Sequence, residues 1–207
     1  MGIGKFVVLE GLDGVGKTTQ LNRLKNRLLT SGFKVHSTQE PGGIELGDFV
    51  RVAIKEKRFD WKTNLFLLLA MRNRHVITEI LPRLKEGYWV LCDRFVDSTY
   101  VYQGIEGGFS AQFLDQCHNV ILPKELIPIT IYLDISIDKL LTRISSRSIL
   151  LDRYEIYLHS NHGLLLDKMR DMYLQRFQNS QDKNKILIDA STNEDETFSK
   201  ICSYLNV

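Results

Sequence analysis

The sequence is poor in cysteine, lacks any long apolar run and carries no excess of either charge. Its three cysteines, Cys92, Cys117 and Cys202, stand far apart, with no C-x-x-C pair and no histidine at ligand spacing. That pattern excludes a disulfide framework and a zinc site, and it leads us to expect reduced thiols in a cytoplasmic protein. The longest apolar run is bracketed by Asn64 and Arg72, well short of the roughly 18 residues that span a bilayer. The first run, Phe6 to Leu9, is too short for a signal-peptide core, and Phe6 stands where a myristoylation motif wants Ser or Thr. Lysine and arginine total 27 against 25 acids, a net charge of +2. This balance leaves no case for a basic coat that grips nucleic acid or a membrane, so any anion is bound locally. There are no internal repeats and no low-complexity tracts.

What is present is an ordinary globular composition, 43% hydrophobic and 25% charged over 207 residues. That length suits one domain, 1–207, with an appended flap. Five short β-type runs, Lys5 to Glu10, Lys34 to Thr38, Tyr88 to Asp93, Ile129 to Asp134 and Lys185 to Asp189, alternate with helical stretches. Alternation of this kind predicts an α/β fold with a five-stranded parallel sheet, and mostly apolar strands predict helices on both faces. Leu21, Leu24 and Leu28 mark the first helix, which should end near Gly32. A long helix is expected over Asp60 to Lys85, with Trp61, Leu65, Leu68 and Leu69 on its apolar side and Pro82 bending or ending it. Its charged residues Arg72, Arg74 and His75 read most simply as a solvated stripe. Two more helices are expected at Ala111 to Leu122 and Ser136 to Ser146. The charged, aperiodic stretch that follows reads as a flap, or lid, at about 147–160.

One motif carries chemistry by itself. Gly11-Leu12-Asp13-Gly14-Val15-Gly16-Lys17-Thr18 fits G-x-x-x-x-G-K-[ST] between a strand and an amphipathic helix. In a P-loop of this kind, backbone N–H groups and the positive helix end point at phosphate oxygens. Lys17 can then reach the β- and γ-phosphates of a nucleoside triphosphate, and the Thr18 hydroxyl can ligate Mg²⁺. A GTP switch would need N-K-x-D after a late strand, and the sequence has none. A second block, Cys92-Asp93-Arg94-Phe95-Val96-Asp97-Ser98-Thr99-Tyr100-Val101-Tyr102-Gln103-Gly104, closes the third strand. Ligands bind at the carboxyl ends of parallel strands, which puts Asp93 and Arg94 beside the P-loop. There, Asp93 could organise the waters of Mg²⁺ and Arg94 could hold an acceptor phosphate, or the two could form a structural ion pair.

Taken together, Glu10 to Thr19, Glu40-Pro41-Gly42-Gly43, Arg51, Arg72 with His75, Asp93-Arg94 with Tyr102-Gln103-Gly104, Asp152-Arg153 and Ile188-Asp189-Ala190 resemble the bacterial type of thymidylate kinase over essentially the whole chain. The resemblance implies a P-loop NTPase fold and phosphoryl transfer from ATP to dTMP with Mg²⁺, giving ADP and dTDP for dTTP biosynthesis. It also implies a homodimer. Carried over residue by residue, it implies that Gly11 to Thr19 bind ATP and that Asp13 approaches the acceptor nucleotide. Arg51 and Arg94 would grip its phosphate, Arg72, Thr99 and Gln103 would read the thymine, and Tyr102 would crowd the 2′ position. Glu40 would line the same pocket. Val15 occupies the place of a P-loop arginine found in the human-like branch, so the missing charge is expected from Arg153 or Arg147 in the flap. Three departures stand out. Gln39 replaces an arginine before Glu-Pro-Gly-Gly, Leu68 replaces a base-stacking phenylalanine with Phe66 nearby, and Lys168 and Arg170 stand where two arginines are common. A deoxynucleoside kinase would instead need a carboxylate base on a 5′-hydroxyl, and a non-enzymatic nucleotide sensor is a third reading.

Overall fold

A computed structural model of the chain describes residues 4–145, 163–179 and 184–207. Five strands, β1 (Phe6–Glu10), β2 (Val35–Gln39), β3 (Trp89–Asp93), β4 (Ile129–Asp134) and β5 (Lys185–Asp189), form one sheet in the order β2-β3-β1-β4-β5. Every pairing is parallel, with Val8 opposite both Cys92 and Thr130. The strand that feeds the P-loop is therefore the central one. Its alternate residues serve two cores, with Val7 and Leu9 packing with Leu21, Leu24 and Leu28. Phe6 and Val8 pack on the other face with Val76, Ile80 and Phe95. Helices on both faces are what the unbroken apolar strands demand.

Helix α1 (Lys17–Thr30) ends as its sequence dictates: Gly32 takes φ 82, and the Phe33 amide donates to the Leu28 carbonyl at 3.0 Å. After α2 (Glu45–Lys55) comes α3 (Trp61–His75), opened by the Asp60 carboxylate, which accepts from the amides of Lys62 and Thr63. Pro82 does not stop this helix. The Leu81 amide reaches back to the Val76 carbonyl through a wide π-type turn, Val76–Ile80, and α4 (Leu81–Lys85) then continues past the proline. The extra residue in that turn absorbs the bond that a proline cannot make. Trp61 is largely exposed, whereas Leu65, Leu68 and Leu69 are buried as expected. The remaining described helices are α5 (Val96–Thr99), continued by a π-type segment Tyr100–Glu106, α6 (Ala111–Ile121), α7 (Ile137–Ser145), α8 (Gly163–Gln178) and α9 (Glu194–Leu205). The expected flap falls outside the described residues, as do Arg147, Asp152 and Arg153.

Helix α8 is tied to the sheet by buried polar contacts as well as by packing. Asp97 accepts from Arg176 Nε at 2.7 Å and from the Tyr132 hydroxyl, with Lys185 Nζ at 3.6 Å. Burial opposes the charge on Asp97, but Lys185 and Arg176 outweigh it and hold the carboxyl below its ordinary range. Removing this acceptor strands two cations, so Asp97→Ala should cost about 3–5 kcal/mol of unfolding free energy in urea denaturation.

Candidate active site

The carboxyl ends of β1, β2 and β3 gather the residues that the sequence singles out. The turn after β1 approaches its neighbours so closely that a Cβ on Gly11 would meet the Leu133 carbonyl oxygen at 2.5 Å, and its φ of +141 excludes most side chains. Leu12 and Val15 are buried in the main core and anchor the loop from below. Lys17, the first residue of α1, folds back over this loop and donates to the carbonyls of Gly11 at 3.1 Å and Leu12 at 2.9 Å. Burial, reinforced by the nearby Arg94 charge, pushes its ammonium down to about 8. Beside it the Thr18 hydroxyl donates to Asp93 Oδ2 at 2.6 Å, which joins the loop to the end of β3. Among the described residues, no group of three His, Cys, Asp or Glu side chains could hold a metal by itself. A hydroxyl with one carboxylate is nonetheless a donor set that Mg²⁺ uses when substrate phosphates supply the rest.

Across from the loop stands Arg94, whose backbone lies in the left-handed region at φ 70. Its amide donates to the Leu9 carbonyl at 3.0 Å. Its guanidinium donates to Ser98 Oγ at 3.0 Å, Tyr173 Oη at 2.7 Å, Asp13 Oδ1 at 2.8 Å and Tyr102 Oη at 2.9 Å. Arg94 holds the Asp13 carboxyl well below its usual range, and the Tyr102 hydroxyl adds a bond to Asp13 at 3.1 Å. Glu10, fully buried at the end of β1, accepts from the amides of Phe95 and Ser98 at 2.8 and 3.2 Å and from Ser98 Oγ at 2.6 Å.

A second buried cluster lies behind this one. Arg72 is 1% exposed and His75 fully buried, so the solvated-stripe reading holds for Arg74 alone. Their side chains tolerate burial because nearly all of their polar groups are hydrogen-bonded. Arg72 Nε donates to Glu40 Oε2 at 2.6 Å, Nη1 to Thr99 Oγ1 and to His118 Nε2, both at 2.8 Å, and Nη2 to the Phe95 carbonyl at 2.9 Å. His75 bridges Glu40 Oε1 at 2.8 Å and Thr38 Oγ1 at 2.7 Å. Arg51 lies on α2 with Nε on the Pro41 carbonyl at 2.9 Å. Leu68 is buried with Val50 and Met71 between α2 and α3, whereas Phe66 is exposed. Gln103 is buried in the segment that follows α5. Lys168 is exposed, and Arg170 is engaged with Asp134 through two bonds of 2.7 and 2.8 Å.

Several residues of this region had no signal in the sequence. Ser98 and Tyr173 complete the surroundings of Arg94, His118 completes those of Arg72, and Arg143 donates to the carbonyls of Val15 at 3.2 Å and Ala190 at 2.9 Å. They come from α5, α8, α6 and α7, and only the tertiary fold brings them in. Glu10 did have a signal, since an acid ending an apolar strand must meet donors once buried.

Burial opposes ionisation of Glu40, but Arg72 and His75 outweigh it and hold its carboxyl below the ordinary value of 4.5. A depressed carboxyl stabilises the fold fully above the unfolded value and loses that contribution as pH falls through the folded one. Urea unfolding between pH 6 and 3 should therefore show stability falling below pH about 4.5, with a shallower fall in Glu40→Gln. The variant should also lose about 3–5 kcal/mol at pH 7, because Arg72 is left buried without its counter-charge.

The sequence matches the family model described as thymidylate kinase over residues 9–201. It is 35% identical over 207 residues to the thymidylate kinase of Ruthia magnifica subsp. Calyptogena magnifica, covering 99% of this chain and 98% of that one. It is 36% identical to the thymidylate kinase of Chlamydia abortus over 201 residues (95% and 92% of the two chains). The thymidylate kinase of Geobacillus sp. strain WCH70 is 36% identical over 199 residues (94% and 92%). The parallel sheet with a P-loop after its central strand, and the match along nearly the full length, place this chain in the thymidylate kinase family, with its P-loop NTPase fold.

Proposed function

We propose the following division of labour for the reaction of this family, ATP + dTMP → ADP + dTDP. The observation that carries it is the contact between the donor loop and the acceptor side, where Asp13 of the P-loop meets Arg94 after β3 at 2.8 Å. The backbone of Gly11 to Thr19 cradles the triphosphate, and Lys17 exchanges its loop carbonyls for phosphate oxygens. Thr18 and Asp93 would hold Mg²⁺, which would supply charge neutralisation for the donor phosphates. Arg94 and Arg51 orient the dTMP phosphate, and Arg153 or Arg147 adds a further cation. The acceptor needs no strong base, because a phosphate monoester with its second pKa near 6 is largely dianionic at pH 7. Charge neutralisation and alignment are the task.

On the nucleoside side, Arg72 donates to a thymine carbonyl, with Thr99, Gln103 and Leu68 around the base, Tyr102 against the sugar and Glu40 beneath. A deoxynucleoside kinase is disfavoured by the state of the acids at this end. Asp13 is held by Arg94, Asp93 by Thr18 and Glu10 by three donors, so each is already engaged. We further propose a cytoplasmic homodimer. The exposed apolar side chains Phe49 and Val52 on α2, Phe66 on α3, and Phe113 and Val120 on α6 are ones that a second copy would cover.

ADP release with ATP, Mg²⁺ and a panel of nucleosides and monophosphates tests the reading. dTMP should be the best acceptor and dUMP a poorer one, since a lost methyl costs only about 1–3 kcal/mol. Rapid turnover of thymidine but not dTMP would sink it. Lys17→Ala should stay folded and lose at least about 10²-fold in kcat. With its ammonium at about 8 in the free protein, Lys17 is largely neutral at pH 9, and a bound triphosphate favours the charged form. Calorimetry at pH 9 in buffers of different ionisation enthalpy should therefore register proton uptake with ATP, and Lys17→Ala should abolish it.

A further inference from the structure

His118 belongs to no motif, lies on α6 and is buried against Arg72. An arginine can only donate, so His118 Nε2, 2.8 Å from Arg72 Nη1, must be the acceptor and the proton must sit on Nδ1. That nitrogen faces Tyr100 Oη at 3.4 Å, and Tyr100 Oη in turn donates to Asp115 Oδ1 at 2.5 Å. The Tyr100 and His118 rings stack with centroids 5.5 Å apart, and the Arg176 guanidinium lies 3.7 Å from the Tyr100 ring centroid. Burial, joined by the charges of Arg72 and Arg176, pushes the imidazole down to about 3, so it stays neutral and keeps its lone pair. A directional chain thus runs from an exposed carboxylate on α6 to the buried guanidinium.

Four of the five Arg72 N–H groups are occupied by Glu40, Thr99, His118 and the Phe95 carbonyl. One N–H, on Nη2, has no protein acceptor among the described residues. We propose that His118 is a positioning residue for acceptor-base selectivity: by accepting from one Nη1 N–H of Arg72 while Thr99 accepts from the other, it locks the guanidinium plane, so that the remaining donor keeps one direction and distinguishes a carbonyl from an amino group on the base. This rests on the reading of Arg72 as the thymine-facing donor. A fixed donor rewards the 4-carbonyl of thymine and opposes the 4-amino group of cytosine. A guanidinium free to tilt after losing an Nη1 acceptor finds other partners and separates the two bases less well.

The test measures kcat and KM for dTMP and dCMP with ATP in the full chain and in His118→Leu, His118→Gln and Asp115→Ala, with circular dichroism and melting to establish folding. His118→Leu should lower the dTMP/dCMP ratio of kcat/KM by about tenfold, mainly through KM for dTMP. His118→Gln, which puts an amide oxygen where Nε2 stood, should restore most of the selectivity. Asp115→Ala touches no substrate and leaves His118 Nε2 as the acceptor that Arg72 requires, so as a control it should keep the native ratio. Where His118→Leu fails to fold, His118→Gln decides. A folded His118→Leu with native selectivity, or a His118→Gln as unselective as His118→Leu, overturns the role of His118. A wild-type chain that uses dTMP and dCMP equally overturns the reading of Arg72 itself.

Discussion

Glu10 ends the central strand in a place with no water to solvate it, and the geometry of the site follows from how that carboxylate is satisfied. Burial and the nearby Asp97 charge push it towards protonation, so its acceptor oxygens need donors close at hand. They find them in the turn after β3, in the amides of Phe95 and Ser98 and the Ser98 hydroxyl. Arg94 immediately precedes this clamped turn, and its amide is drawn to the Leu9 carbonyl of the same central strand. A left-handed backbone at a non-glycine residue persists only where its surroundings over-determine it, and here both sides of the residue are pinned to β1. The P-loop and the cation that faces it are therefore parts of one rigid assembly. Preorganised charge of this kind does not have to be rearranged as the reaction proceeds.

Glu40 plays a corresponding part at the end of β2. It binds Arg72 and His75, which lie one turn apart on α3, and so fixes that helix to the sheet edge. Leu68 belongs to the same arrangement, wedged with Val50 and Met71 between α2 and α3. The elements around the carboxyl ends of β1, β2 and β3 are thus joined by buried polar bonds, at Glu10, Glu40 and Asp97. Breaking such a contact costs more than breaking an exposed pair, because the partner left behind stays buried.

What could be read from the sequence divides along physical lines. Four of the five strands were legible because each is a short, largely apolar run between turn signals, β2 (Val-His-Ser-Thr-Gln) being the polar one, and the ends of all five fall within a residue of expectation. The first helix was legible to its last turn because Gly32 has a mechanism attached to it. Periodicity misjudged α3, where two of three clustered charges face inward. The missing information was the partner, since Glu40 is 32 residues from Arg72 and His118 is 46 residues from it. The same limit hid Tyr173, which reaches Arg94 across 79 residues. Pro82 misled for a different reason, because helices can tolerate proline when a preceding wide turn releases the lost bond, and no residue type announces such a turn.

The strand order has a consequence for how the chain is made. Strand β1 leaves the ribosome first, yet its neighbours are β3, beginning at Trp89, and β4, beginning at Ile129. No hairpin can cover it in the meantime, because every ladder in the sheet is parallel and distant in sequence. The segment Phe6-Val7-Val8-Leu9, with the P-loop attached, must wait unpaired until β3 is complete at Asp93 and gains its second neighbour only after β4. Loop closure on that scale is slow and leaves an adhesive edge open to other chains. The charged helix α1 is the first described element able to shield its apolar neighbour, covering the face of Val7 and Leu9.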